Sequence, residues 1–345
     1  MVLRTNTQYW NDSCSLVELR YAIARGATGA TTNPVIVNTV LSKEFSTYQA
    51  TLKKALKDYP NAGEDDIAWL LIEYAAIQGA KLLEKKFDPK KGTGRISIQT
   101  NTKYYKNTEK LVQQGLHFHS LAKNMQVKIP ATEAGICAAE ELTYQGVNIN
   151  ATVSFTVPQS LAIAEAVERA LDRREKEGKS NAAIQPVCTI MVGRLDDWLK
   201  AYTSQEGIIL DPECLEWAGV AVFKRAYEIY KEKGYRSKLL AAAYRNHYHW
   251  SEFIGGDVIE TIPYAWQVKF NNSTIAVQNR MSTPVDSGIV KQLTQKVPDF
   301  KKAYEPKGLT ERQFNSYGAT KRTLLQFAQG YDELVRFIRG YMIEV

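Results

Sequence analysis

The strongest constraint on the fold is a change of hydrophobic period that recurs about eight times along the chain. Short runs reading as strands, with alternate residues on opposite faces, give way to stretches with the 3.6-residue period of an amphipathic helix. The strand-like runs are 5 to 12, 26 to 34, 95 to 101, 124 to 131, 147 to 154, 185 to 192, 238 to 245 and 257 to 263. Between them, Ser13 or Ser15 can cap a first helix whose stripe is Leu16, Leu19 and Ile23 and whose stop is Gly26. Further helices are predicted over 35–59, 64–86, 107–121, 133–145, 158–177, 195–202 and 212–233. Residues 264–305 read as irregular with turns, and 310–340 as helical. A chain of 345 residues with this alternation matches a single (β/α)8 TIM barrel, residues 1–305, with additional C-terminal helices over 306–345 belonging to the same domain.

An open doubly wound sheet is the competing arrangement, but it gives no reason for polar residues at the end of nearly every strand. A barrel gives one, because its C-terminal rim gathers residues from different strands into one mouth. The residues placed there are Asp12, Thr31, Asn33, Ser97, Gln99, Lys128, Asn150, Thr152, Thr189, Met191 and Arg245. Thr31/Asn33, Ser97/Gln99, Asn150/Thr152 and Thr189/Met191 are each spaced i, i+2, as consecutive inward positions must be. Fraying of strands into polar loops accounts for the asparagines and threonines, but not for an acid, a lysine and an arginine in equivalent places. Lys128 stands in NMQVKIPA, a run that otherwise reads as a buried strand. Desolvation lowers the pKa of such an ammonium and leaves an amine able to attack a carbonyl.

With 44% hydrophobic and 23% charged residues, the composition is that of a folded globular chain with a sizeable core. No apolar run is long enough to cross a bilayer and MVLRTNTQYW lacks the regions of a signal peptide, so a cytoplasmic location without membrane attachment is expected. The net charge of +7 leaves nucleic-acid binding open. Its basic clusters argue against it, since Arg173, Arg174, Lys176 and Lys179 are interleaved with Asp172, Glu175 and Glu177 as on a solvated helix face. Cys14, Cys137, Cys188 and Cys214 are too scattered for a disulfide ladder or metal motif and read as free thiols. His117 with His119, and His247 with His249, lack a third ligand nearby and read as surface histidines, so no metal is expected. The loop GATGATTNP lacks the third glycine of a dinucleotide fingerprint.

Taken in order, Asp12, ATTNP (Ala30–Pro34), GRIS (Gly94–Ser97), VKIPAT followed by AGICAAEEL, NINAT (Asn148–Thr152), VGRLDDW (Val192–Trp198) and YRN (Tyr244–Asn246) resemble the transaldolase family over about residues 5 to 265. The resemblance implies a (β/α)8 barrel with the Schiff-base lysine on the fourth strand, no metal or bound cofactor, and a homodimer acting on small sugar phosphates in the pentose phosphate pathway. It implies that Lys128 attacks the C2 carbonyl of a ketose phosphate, that Asp12 is the general acid and base, and that Thr152 orients a catalytic water. Asn33, Asn150 and Ser97 would contact hydroxyls or the imine, Thr31, Thr189 and Met191 would line the substrate site, and Arg194 and Arg245 would clamp the phosphate. A helix N-cap is the structural alternative for Asp12.

The chain departs from the family pattern at three positions. Gln99 stands where the family has a proton-relaying Glu, Ala243 where it has a serine beside the phosphate arginine, and Met191 where it has a large aromatic. Fructose-6-phosphate aldolases also carry Gln at the relay position, but pair it with Tyr rather than Met. The expected activity is transfer of dihydroxyacetone between sugar phosphates. The alternatives are an aldolase of the fructose-6-phosphate type, a transaldolase variant for a different anionic sugar, or a non-catalytic sugar-phosphate-binding barrel.

Overall fold

In the computed structural model, which describes residues 1–343, eight parallel strands close into a barrel in sequence order. The elements run β1 (Gln8–Asn11), α1 (Leu16–Ala24), β2 (Gly29–Thr31), α2 (Pro34–Lys43), α3 (Phe45–Asp58), α4 (Glu64–Leu83), β3 (Arg95–Gln99), α5 (Thr108–Leu121), β4 (Met125–Pro130) and α6 (Glu133–Tyr144). They continue with β5 (Ile149–Ser154), α7 (Val157–Lys176), β6 (Val187–Ile190), α8 (Val192–Gln205), α9 (Pro212–Glu216), α10 (Ala218–Lys233), β7 (Lys238–Ala241), α11 (Tyr248–Ser251) and β8 (Ile259–Ile262). After the barrel come α12 (Tyr264–Asn271), α13 (Ser287–Lys296), α14 (Pro298–Tyr304), α15 (Glu311–Phe314) and α16 (Gly318–Ile343).

The expected barrel is therefore the observed one, with differences that have local causes. The single helix expected over 35–59 is two, broken at Glu44, because Phe45 turns inward to stack on Tyr341 (4.1 Å between ring centres) and meet Phe337 edge-on. The first helix is capped by Ser15, whose side chain accepts from the Glu18 N–H, rather than by Asp12. Strand β7 stops at Ala241, short of the expected Arg245, since Ala243 adopts left-handed backbone at φ 67° and cannot continue a ladder. Residues 264–305 are irregular only over 272–286; 264–271, 287–296 and 298–304 are helical. The carboxylate of Asp286 caps α13 and Pro298 opens α14, and Leu293, Phe300 and Ala303 bury short apolar faces that are too brief to show as periodicity.

Inside the barrel the strands carry two kinds of layer. Trp10, Val187, Leu240, Ala242 and Ile259 form one buried apolar cluster. Gly29 lies against the Trp10 ring, where a Cβ would come within 2.4 Å of Cε2, so only glycine lets the indole fill the lumen there. Two residues further along the strands from Trp10, Val187 and Ile259 stand Asp12, Thr189 and Thr261, all polar. The change from plug to polar rim thus falls within one strand repeat.

Helix α16 crosses the C-terminal face of the barrel. At its start Gly318 packs under Trp198 of α8, and Thr320 accepts a long hydrogen bond from Gln159 of α7 (3.4 Å). Further on, Gly330 lies against Val35 of α2, Tyr331 donates to Asp65 of α4 (2.5 Å) and Arg339 pairs with Glu64 (2.7 Å). Arg194 over the Phe327 ring and its hydrogen bond to Gln326 hold the middle of the helix to the rim. No described helix is long and apolar enough to cross a membrane.

Candidate active site

Lys128 is the fourth residue of β4, only 3% exposed, in register with Gln99 of β3 and Asn150 of β5. Its Nζ donates to the carbonyl of Thr32, just past β2, at 3.0 Å. Burial pulls its pKa down to about 8; Asp12 opposes that shift and the positive field of Arg194 adds to it. An amine in this state is available near neutral pH in a way that a solvent lysine is not.

Asp12, just beyond β1, is half-buried and accepts a hydrogen bond from Thr31 Oγ1 (2.7 Å). Thr31 in turn shares a 2.6 Å contact with Thr261 of β8. The carboxyl is raised above its ordinary pKa by desolvation, with Lys128, the Thr31 hydroxyl and Arg194 working against the rise. Amine and carboxyl thus feel each other's charge across the mouth, and each is brought closer to the other's proton affinity than in water. That is a pairing suited to proton transfer.

A hydrogen-bonded chain spans β3 to β6 inside the barrel. Thr189 donates to Asn150 Oδ1 (2.7 Å), Asn150 Nδ2 donates to Ser97 (3.2 Å) and Ser97 donates to Gln126 Oε1 (3.1 Å). The chain fixes the Asn150 amide beside Lys128. One layer above, the Thr152 hydroxyl points at the Met191 sulfur (3.8 Å), a weak acceptor. Just after Thr152 the register of β5 against β6 shifts, and Val153 takes left-handed backbone at φ 54°, a strained state for a β-branched residue. Asn33 spends its side-chain oxygen on the cap of α2, accepting from the Ile36 N–H at 3.0 Å. The Gln99 amide is 6% exposed and its oxygen is buried without a partner.

The two arginines come from different elements. Arg194 lies in the first turn of α8, not in the loop before a helix beginning at 195 as the sequence suggests. Arg245 lies in the turn after β7. Gly193 brings them together: a Cβ there would fall 1.9 Å from the Ala243 carbonyl oxygen and 2.7 Å from Arg245 Cγ. Burial, followed by repulsion from Arg245, lowers the Arg194 pKa to about 10, which leaves it charged at neutral pH. Arg245 is held by Asp197, with Nε 2.9 Å and Nη2 2.7 Å from Oδ2. Arg322 of α16 donates to the Asp197 carbonyl (3.4 Å), so a third guanidinium flanks the same place.

The expected residues are therefore gathered on one face of the barrel, from β1 round to the turn after β7. Sequence reasoning missed Thr261, which only its i+2 spacing from Ile259 could have disclosed. It also missed Arg322, Gln326 and Phe327, whose helix has no sequence link to the strands. His249, expected at the surface, is completely buried on Asp196 at 2.7 Å. Its neighbours in sequence gave no periodic signal because α11 is only four residues long. The other three histidines are partly or fully exposed, and among the described residues no group of three or more His, Cys, Asp and Glu could hold a metal ion. All four cysteines are free.

Fold and site together define a closed (β/α)8 barrel with a buried lysine, a facing carboxyl and paired arginines at its C-terminal rim. Residues 9–310 match the Transaldolase/Fructose-6-phosphate aldolase family, and the chain belongs to that family. It is similar to the transaldolase of Chlamydia trachomatis serovar D, 30% identical over 230 residues that cover 64% of this chain and 62% of that protein. The transaldolase of Chlamydia felis is 29% identical over 248 residues, covering 69% of this chain and 67% of that protein. That of Mycobacterium bovis (strain BCG / Pasteur 1173P2) is 27% identical over 212 residues, covering 60% and 56%. The chain thus matches 62% of the length of the chlamydial relative named first.

Proposed function

We propose that this chain is a transaldolase-type transferase that moves a dihydroxyacetone unit between sugar phosphates through a Schiff base on Lys128. The observation that carries the reading is the enclosed Lys128 amine, with its pKa drawn down to about 8 and Asp12 across the mouth from it. Nζ adds to the C2 carbonyl of a ketose phosphate and water leaves, giving a protonated imine. Asp12 takes the proton of the C4 hydroxyl as the C3–C4 bond breaks, the fragment from C4 onward leaves as an aldehyde phosphate, and the electron pair of the broken bond passes into the imine to give an enamine. An acceptor aldehyde then adds at C3, takes the proton back from Asp12, and hydrolysis frees the product. Thr152 orients the water, while Asn33, Asn150 and Ser97 contact hydroxyls or the imine nitrogen. Thr31, Thr189 and Met191 line the cavity, and Arg194 and Arg245 hold the phosphate. The protein would act in the cytoplasm, within the pentose phosphate pathway, as a homodimer; sedimentation tests the last point.

Gln99 favours a second reading. An amide beside Lys128 cannot ionise, so the step that a carboxylate would assist there is altered, as in an aldolase that releases dihydroxyacetone. Incubation with fructose 6-phosphate, with and without erythrose 4-phosphate, separates the two: release of free dihydroxyacetone without an acceptor supports the aldolase. Borohydride trapping in the presence of ketose, followed by peptide mapping, tests both at once. An adduct on Lys128 is expected, and its absence would end the Schiff-base reading.

A further inference from the structure

The turn carrying Arg245 lies outside the strand ladder, since β7 ends at Ala241, and its backbone passes through left-handed conformation at Ala243. What fixes it is a buried polar chain whose hydrogen bonds run to neither Lys128 nor Asp12. Gly219 of α10 donates its backbone N–H to Asp196 Oδ1 (2.7 Å). The other oxygen of Asp196 meets His249 Nε2 at 2.7 Å, and His249 Nδ1 accepts the backbone N–H of Arg245 at 3.0 Å. Both side chains are completely buried. Because Nδ1 accepts, the ring proton must be on Nε2, so the histidine is the neutral tautomer that donates to the carboxylate. Nδ1 is thereby occupied, which removes the ring from service as a general base. Asn246 adds a second tie, donating to Glu216 Oε2 (2.8 Å).

We propose that Asp196 and His249 are positioning residues for the anion clamp: by holding the Arg245 backbone they set the guanidinium against Arg194, and so set affinity for the phosphate end of the substrate without touching the reacting carbons. The inference rests on the reading of Arg194 and Arg245 as the phosphate site. A buried donor–acceptor chain suits this task better than packing, because each of its bonds has one geometry and a half-made chain is costly.

The test uses the full chain with inorganic phosphate and fructose 6-phosphate as calorimetric titrants, and dihydroxyacetone with borohydride as a phosphate-free probe of Lys128. His249→Leu should weaken both anions about tenfold, the value of one lost buried hydrogen bond, while dihydroxyacetone trapping is unchanged. His249→Gln keeps an acceptor and a donor and should restore most of the affinity. If His249→Leu does not fold, the double variant Asp196→Leu, His249→Leu leaves no lone buried carboxylate and must show the same selective loss. Unchanged phosphate affinity overturns the proposal, as does an equal loss toward phosphate and dihydroxyacetone, or a failure of the unaltered protein to bind phosphate. Failure of dihydroxyacetone to form an adduct on the unaltered protein would instead strike the Schiff-base reading, and the phosphate titrations would still decide this one.

Discussion

Along β1, β6 and β8 the two ends of the barrel lumen follow opposite rules. Around Trp10, Val187, Leu240 and Ile259 the interior is filled with carbon, and a glycine lies under the indole where no larger residue fits. One repeat further on, the same strands present a carboxyl and a pair of hydroxyls, β4 and β5 add an amine and an amide, and just past Thr152 comes the strained backbone of Val153. The first end lowers the energy of the fold. The second raises it, since an amine and a carboxyl are held where water is scarce. On these three strands both fit because the apolar layer ends one repeat before the polar one begins.

The difference can be broken most directly at Lys128. Lys128→Met should abolish the borohydride adduct, yet the protein should melt no lower than the original. The native pKa is lowered from 10.5 to about 8, so between those values the unfolded chain binds the proton and the folded one does not. Stability from this group therefore rises with pH across that window, and below it the buried ammonium is a standing cost that methionine removes. Calorimetry at pH 7 checks the sign. At the other end, Trp10→Ala should cost about 3–5 kcal/mol of stability, read by urea unfolding, while the pH profile of adduct formation keeps its shape.

Smaller effects sharpen the contrast within the rim. Arg245→Ala should raise KM for phosphorylated donors by about thirtyfold, the equivalent of about 2 kcal/mol for a lost charged contact, with little change in kcat. The rate of adduct formation should fall about tenfold per pH unit below 8 and level off above it, following the free amine of Lys128. Least of all, Gln99→Glu should leave the melting curve in place and raise transfer on the order of a few-fold by restoring an ionisable group; unchanged or lower turnover would remove proton relay as the role of that position.

The alternation of period disclosed the barrel, and the i, i+2 spacing of polar residues disclosed most of the rim, because both are local consequences of strand geometry. Lys128 was visible for the same reason, as a charge in a run otherwise fit for burial. What could not be read lies between elements. The glycine that seats Arg194 against Arg245 is defined by the Ala243 carbonyl, fifty residues away in sequence. His249 is indistinguishable from a surface histidine until Asp196 is seen beneath it. The helices between 264 and 305 bury so few residues each that no period emerges, and α16 meets the mouth only through tertiary packing.

The crossing of α16 has a consequence for timing during synthesis. Every strand has been made once the ribosome passes Ile262, but Gln326 and Phe327, which hold Arg194 from above, are translated more than sixty residues later. A nascent chain can close its barrel while its mouth is still open, and Arg194 gains its last supports only when the final long helix has emerged and lain down across it.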